Sequence, residues 1–322
     1  MITFASDSTK PHSMKRPVKG IIPPMITPLL APDTLDRQAV VNMVERLVAA
    51  EVSGIFVLGT TGEAQALSRH LRYELVELVC SAVRGRVPIL VSISDTALEE
   101  SVAFADCARD FGASAVVLAA PYYFALSQEE LLRYVERVAR RISLPIYLYN
   151  IPSLTKIAFA PETVRAAADI PNVIGFKDSS GNMEYLAEVI AILRDRPDFS
   201  ILCGPEELLT EAVRLGAHGG ISGGANLWPE LYVGLYRAAA AGDTSEIDRL
   251  QQMVLQISTS VYRRKPEPSS YLRGLKCAVS AMGYCRNVLA EPFEPLSGID
   301  ASEIRAGLAK CGLEPVLEPE MQ

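Results

Sequence analysis

Histidine is scarce in this chain. His12, His70 and His218 are the only three in 322 residues, and no two share a ligand spacing. A structural zinc site or a histidine-based metal lyase is therefore not expected. The six cysteines (Cys80, Cys107, Cys203, Cys277, Cys285 and Cys311) show no Cys-x-x-Cys spacing. Without a secretion signal they read as reduced thiols, and the expected location is cytoplasmic. A net positive charge is also lacking. The net charge of −7 offers no basic face to track phosphates, so neither a nucleic acid nor an anionic membrane is an expected partner. No apolar run approaches the length of a membrane span. Residues 1–19 are polar and mildly basic without an apolar centre, which reads as a disordered arm and not as a signal peptide.

What remains is a pattern of short apolar runs alternating with amphipathic stretches. The strands expected are 21–26, 54–58, 88–93, 115–119, 145–149, 173–177, 200–203 and 219–222. Helices are expected over 36–50, 68–84, 96–111, 127–141, 161–168, 183–194 and 206–215. Ser127-Gln-Glu-Glu130 is a capping box, and Pro161 suits a first helical turn. Gly54, Gly112 and Gly216 stand where a left-handed helix cap is wanted. Eight strands with a crossover after each imply an α/β fold, a closed parallel (β/α)8 TIM barrel. The rival is an open doubly wound sheet, which would normally show a Gly-x-Gly-x-x-Gly turn after an early strand, and none is present. The barrel is expected over residues 20–242. A C-terminal helical appendage over 243–313 and a frayed tail over 314–322 should follow.

Barrel chemistry comes from strand C-termini and the loops after them, and this chain places its unusual segments there. Lys177 is one of few lysines, and it closes the apolar run Val173-Ile174-Gly175-Phe176. Partial desolvation disfavours an ammonium, and a neutral amine condenses with a carbonyl. The plain alternative is a strand-end lysine reaching out to solvent. Gly59-Thr60-Thr61-Gly62-Glu63 can aim N–H groups and hydroxyls into the mouth, or be an ordinary glycine-rich turn. Ala120-Pro121-Tyr122-Tyr123-Phe124 is an aromatic cluster that could equally be a packing lid. Leu148-Tyr149-Asn150-Ile151-Pro152 puts a phenol one strand from Lys177, or a tyrosine at the rim. Gly219-Gly220-Ile221-Ser222-Gly223-Gly224 reads as a phosphate nest or a substrate wall.

Together these segments resemble the family of dihydrodipicolinate synthase and N-acetylneuraminate lyase, class I aldolase-type enzymes on a (β/α)8 barrel. The resemblance runs from about Ile21 to Ala290. It rests on Gly-Thr-Thr-Gly-Glu at 59–63, Pro-Tyr-Tyr at 121–123, Tyr-Asn-Ile-Pro at 149–152, Gly-Phe-Lys-Asp at 175–178 and Gly-x-x-Gly-x-Ile-Ser at 216–222. It implies that Lys177 forms a Schiff base with pyruvate or another 2-oxo acid, the imine acting as electron sink with no cofactor. It implies that Thr60, Thr61 and Gly62 hold the carboxylate, that Tyr149 moves protons, and that Thr61 and Tyr123 extend the relay. The Ile221 carbonyl would face the lysine. Tyr123 would reach in from a neighbouring subunit, implying a homo-oligomer, either a dimer or a dimer of dimers.

Departures from the synthase pattern narrow the reading. Synthases usually carry an arginine two residues beyond the proline of Tyr-Asn-x-Pro, where this chain has Leu154, and the usual glycine two residues on is Lys156. Leucine cannot bind a carboxylate. Phe124 replaces a common asparagine. Leu154 resembles the sialate-lyase branch, which also places acidic residues near Gly204-Pro205-Glu206-Glu207, against sugar hydroxyls. Those two glutamates could instead be helix N-terminal acids. The expected function is a pyruvate-releasing lyase of a 2-oxo-3-deoxy sugar acid or sialic acid. The alternatives are the synthase, condensing pyruvate with aspartate semialdehyde, a 2-oxo-3-deoxy acid dehydratase, and a barrel that binds 2-oxo acids without turnover.

Overall fold

Eight short parallel strands are joined by helical crossovers in the computed structural model, which describes residues 15–262 and 267–316. The expectations for residues 1–14 and 317–322 lie outside the described residues. The strands are β1 (Gly20–Ile21), β2 (Ile55–Val57), β3 (Ile89–Ser92), β4 (Ala115–Ala119), β5 (Ile146–Asn150), β6 (Val173–Asp178), β7 (Ser200–Cys203) and β8 (Gly219–Gly220). Each pairs with its sequence neighbour, and β8 pairs with β1. The circle closes between β1 and β2 through a parallel bridge from Pro24 to Phe56. There the Met25 N–H donates to the Phe56 carbonyl at 2.8 Å, and the Phe56 N–H donates to the Pro23 carbonyl at 2.9 Å. An open doubly wound sheet is thereby ruled out.

The helices that cover the barrel are α1 (Arg37–Ala49), α2 (Arg69–Val83), α3 (Leu98–Phe111), α4 (Gln128–Ala139), α5 (Pro161–Ala167), α6 (Met183–Ile192), α7 (Leu209–Leu215) and α8 (Pro229–Ala241). Sequence periodicity explains how they pack: α4 buries Leu131, Val135, Val138 and Ala139 on one stripe. Its expected capping box forms, with Ser127 Oγ accepting from the Glu130 N–H and Glu130 accepting from the Ser127 N–H. Three further helices follow, α9 (Thr244–Ile257), α10 (Ser270–Ala281) and α11 (Gly298–Lys310), with a π-helical turn at Ser258–Tyr262 between the first two.

Several local expectations need correction. The first strand is shorter than 21–26 because Pro23 and Pro24 lack N–H donors for a ladder. The last strand pairs only through Gly219–Gly220, and Ser222 leads into a 3-10 turn instead. A small hairpin, Leu29–Ala31 with Thr34–Leu35, was not expected. Gly112 and Gly216 do cap their helices in the left-handed region, but Gly54 does not. The left-handed residue after α1 is Glu51, while Gly54 lets the chain approach the Pro88 carbonyl, 3.0 Å from where a Cβ would sit.

Two apolar layers result. Ile22, Phe56, Leu90, Val117, Tyr147, Tyr149, Leu202 and Ile221 fill the barrel interior. A larger layer, including Leu118, Leu148 and Phe176, lies between sheet and helices. Alternation along β5 is strict, with Ile146 and Leu148 outward and Tyr147 and Tyr149 inward. On β6 the register slips: Val173 opposes Ile146, yet Gly175 opposes Tyr147. The extra residue, Ile174, reverses the alternation beyond it, so Phe176 turns outward and Lys177 inward. Gly175 is needed there, since a Cβ would fall 2.3 Å from the Tyr147 ring.

Candidate active site

Lys177 is 4% exposed at the carboxyl end of β6, with Tyr149 of β5 and Leu202 of β7 as its lateral partners. Its Nζ lies 3.9 Å from the centroid of the Tyr149 ring and 5.2 Å from that of Phe56. Aromatic faces thus hold the amine in place. The neighbouring carboxylate is turned away, as strand alternation requires. Asp178 accepts from Asn150 Nδ2 at 2.7 Å, from the Ser180 N–H at 3.1 Å and from Ser180 Oγ at 2.8 Å. Burial raises the Asp178 carboxyl above its ordinary value despite these bonds. Asn150 Oδ1 accepts in turn from the Phe159 N–H. This network braces the ends of β5 and β6 while leaving Lys177 without a carboxylate partner among the described residues.

The loop after β2 supplies hydroxyls. Leu58, buried, has φ 61°, a left-handed strain that turns the chain sharply into the 3-10 turn Thr60–Gly62. Gly62 permits a close pass, since a Cβ would sit 2.9 Å from the Met25 carbonyl. Thr60 Oγ1 stands 3.5 Å from Tyr149 Oη, at the outer limit of a hydrogen bond. Catalytic contacts are often long before substrate binds. Thr61 is instead buried, with Oγ1 directed toward Gly223 of the β8 loop. The sequence reading placed Thr61 in the relay; of the two threonines, it is the Thr60 hydroxyl that lies nearest Tyr149 Oη.

Glu63 ends the loop with a fully buried carboxylate whose Oε1 is 2.7 Å from Lys276 Nζ of α10. Lys276 also donates to the Thr27 and Val288 carbonyls, at 2.7 and 3.0 Å. The Ala290 N–H donates to Glu63 Oε2 at 2.7 Å. The threonine loop is thereby anchored to α10. Sequence reasoning missed Lys276, though a lysine inside Leu275-Lys276-Cys277-Ala278-Val279 signals a buried cation needing an anion.

The remaining residues divide between mouth and scaffold. Ile221 lines the interior. Gly204 packs tightly on β6, with its N–H donating to the Asp178 carbonyl at 2.7 Å. Tyr123 and Phe124 project outward, 76% and 74% exposed, stacked edge-on with centroids 5.0 Å apart. Leu154 is also exposed, on the single helical turn Pro152–Thr155, and exposed Lys156 ends that turn in the left-handed region. Glu206 does not face the mouth as an acceptor for sugar hydroxyls. It is buried, and its oxygens accept from Tyr232 and Tyr262 Oη at 2.8 and 2.7 Å and from the Gly224 N–H at 2.7 Å. Glu207 accepts from Ser258 Oγ. Both acids tie the β7 loop to the C-terminal helices.

Cys203, at the end of β7, has its thiol pushed up to about 12 by burial, which removes it as a nucleophile near neutral pH. Among the described residues no group of three or more His, Cys, Asp or Glu side chains could hold a metal ion, and no helix is long and apolar enough to cross a membrane.

Residues 17–310 match the model of the dihydrodipicolinate synthetase family. The chain belongs to this family. Its members are Schiff-base, pyruvate-dependent carbon–carbon lyases, and this chain is one of them. One relative, a probable 2-dehydro-3-deoxy-D-pentonate aldolase of Escherichia coli K12, is 34% identical, covering 85% of this chain and 92% of its own. The structure of dihydrodipicolinate synthase from Bacteroides thetaiotaomicron superimposes with a TM-score of 0.90 at 49% identity, over 92% of this chain and all of that one. YagE of Escherichia coli K12, a family protein solved with pyruvate, gives a TM-score of 0.86 at 31% identity, over 92% and 99% of the two chains. Within the family barrel, Lys177, Tyr149 and Thr60 of this chain converge at the mouth, whereas Glu206 lies behind it.

Proposed function

We propose that this enzyme cleaves a 2-oxo acid with a hydroxylated chain, of the 2-oxo-3-deoxy sugar acid type, releasing pyruvate through a Schiff base on Lys177. The observation that carries the reading is the buried Lys177 amine lying on the Tyr149 ring. The amine adds to the C2 ketone, and the carbinolamine hydroxyl leaves as water with the phenol proton of Tyr149, forming a protonated imine and a tyrosinate. Tyr149 takes the proton of the C4 hydroxyl, the C3–C4 bond breaks, and its electron pair moves into the imine to give an enamine and an aldehyde. Protonation at C3 and hydrolysis then release pyruvate and regenerate the amine. Thr60 passes the proton onward from Tyr149, while Thr61 and Gly62 hold the substrate carboxylate through oriented N–H and hydroxyl groups. Exposed Tyr123 suits completion of the relay in a second copy, so we read the enzyme as a cytoplasmic homo-oligomer. Residues 20–242 form the barrel in this reading, and residues 243–313 its C-terminal helical region.

The 49% identity to a protein named dihydrodipicolinate synthase favours a second reading, condensation of pyruvate with aspartate semialdehyde. Leu154 weighs against it, because it offers no donor for the second carboxylate where it stands exposed. Losing a hydrogen bond to a charged group costs about 1.5–3 kcal/mol, roughly ten- to a hundredfold in affinity. The test sets pyruvate release from 2-oxo-3-deoxy sugar acids beside condensation with the semialdehyde. Brisk cleavage, weak condensation and a gain in condensation for Leu154→Arg are expected. Condensation at the efficiency of a dedicated synthase would overturn the proposal.

A further inference from the structure

Tyr271 opens α10, outside every motif of the mouth, yet its hydroxyl reaches the β8 loop. Room exists only because residue 223 is glycine. A Cβ on Gly223 would lie 1.7 Å from Tyr271 Oη and 3.0 Å from its Cζ. The same point is 3.6 Å from Thr61 Oγ1. The phenol therefore occupies the space that a side chain at 223 would fill, beside the threonine. Its ring is steadied edge-on by Tyr262, with centroids 5.3 Å apart, and Tyr262 is fixed on Glu206 and Tyr232. Gly224 makes similar room, since a Cβ there would fall 1.9 Å from Tyr232 Oη and 2.4 Å from Tyr262 Oη. Of the three phenols admitted by these glycines, two serve the buried Glu206 and the third, half-buried, stands next to Thr61.

We propose that the Tyr271 hydroxyl is a substrate-binding group that donates, together with Thr61, to the carboxylate of the bound 2-oxo acid. This rests on the reading above, in which Thr61 holds that carboxylate. A carboxylate accepts at two oxygens, so one group can take bonds from two neighbouring hydroxyls, and such charge-assisted bonds are strong ones. The π-helical turn and α10 would then serve the active site directly, and the glycine at 223 would be a requirement of substrate binding.

Pyruvate is the probe of choice, since it carries the ketone and carboxylate without a hydroxylated chain. Tyr271→Phe keeps the ring and removes the donor. The pyruvate concentration that half-saturates borohydride trapping at Lys177 should rise roughly tenfold or more, with the adduct still forming at saturation. Gly223→Ala puts a methyl where the phenol oxygen sits and should raise it comparably. The double variant should be no weaker than the worse single, because both changes remove one contact. An unchanged half-saturation in Tyr271→Phe with Lys177 still labelled, or additive effects in the double variant, would overturn this role and leave the Schiff-base reading intact. Absence of labelling at Lys177 in the wild type would instead overturn that reading itself.

Discussion

Lys276→Met tests whether the threonine loop depends on its buried anchor. Both partners of the Glu63–Lys276 pair have fully buried side chains, so neither is relieved by water. Removing the ammonium strands the Glu63 carboxylate with the Ala290 N–H as its remaining donor among the described residues, and takes the Lys276 donor from the Thr27 and Val288 carbonyls. Breaking a buried pair from one side costs about 3–5 kcal/mol, a large share of the roughly 5–15 kcal/mol that holds a typical domain folded. Methionine approximates the lysine stem, so little of the loss should come from a cavity. Urea unfolding followed by circular dichroism should show the midpoint falling at an unchanged slope. The double variant Glu63→Gln, Lys276→Met should regain part of the loss, because the uncompensated charge is gone. A single variant within about 1 kcal/mol of wild type would refute the reasoning, since that is the scale of an exposed ion pair. A double variant less stable than Lys276→Met would refute it too.

Three further outcomes are expected. Tyr149→Phe and Thr60→Val should each lower turnover by about two to four orders of magnitude, and the pair should be far from additive if they form one relay. Thr61→Val should act mainly on KM, and near-normal turnover in Thr60→Val would return the relay to Thr61. Burial holds the Glu206 carboxyl above its ordinary value, outweighing the bonds it accepts. A carboxyl raised in the folded state contributes stability at low pH that is lost as pH rises through the folded value. Wild type should therefore lose stability relative to Glu206→Gln as pH rises above about 4.3, the ordinary value of a glutamate. A difference that stays constant in urea titrations across that range would contradict this.

The barrel was legible because its strands are short apolar runs separated by capped helices, and because the chain lacks the glycine signature of the open rival. The placement of candidate residues was legible where a residue type is unusual for its setting, as with Lys177, which the structure does bury at a strand end. What escaped the sequence depends on geometry that one residue can reverse. The extra residue at Ile174 decides which way Lys177 faces, and no local propensity announces it. Adjacent threonines are equivalent in a sequence motif, yet the left-handed turn at Leu58 and the 3-10 turn after it present Thr60 to Tyr149 and Thr61 to Gly223. Glu206 looked available to substrate until Tyr232 and Tyr262 approached it from helices far along the chain. Lys276 and Tyr271 were hidden for the same reason, because α10 meets Glu63 and Gly223 through packing between residues far apart in the chain.

The central claim is that Lys177 is the Schiff-base nucleophile. Incubation with pyruvate and borohydride, followed by peptide mass mapping, tests it most directly. The account predicts one irreversible adduct, on the peptide containing Lys177, and none in Lys177→Ala. An adduct on another lysine, or no adduct in the folded wild-type enzyme at saturating pyruvate, would contradict it.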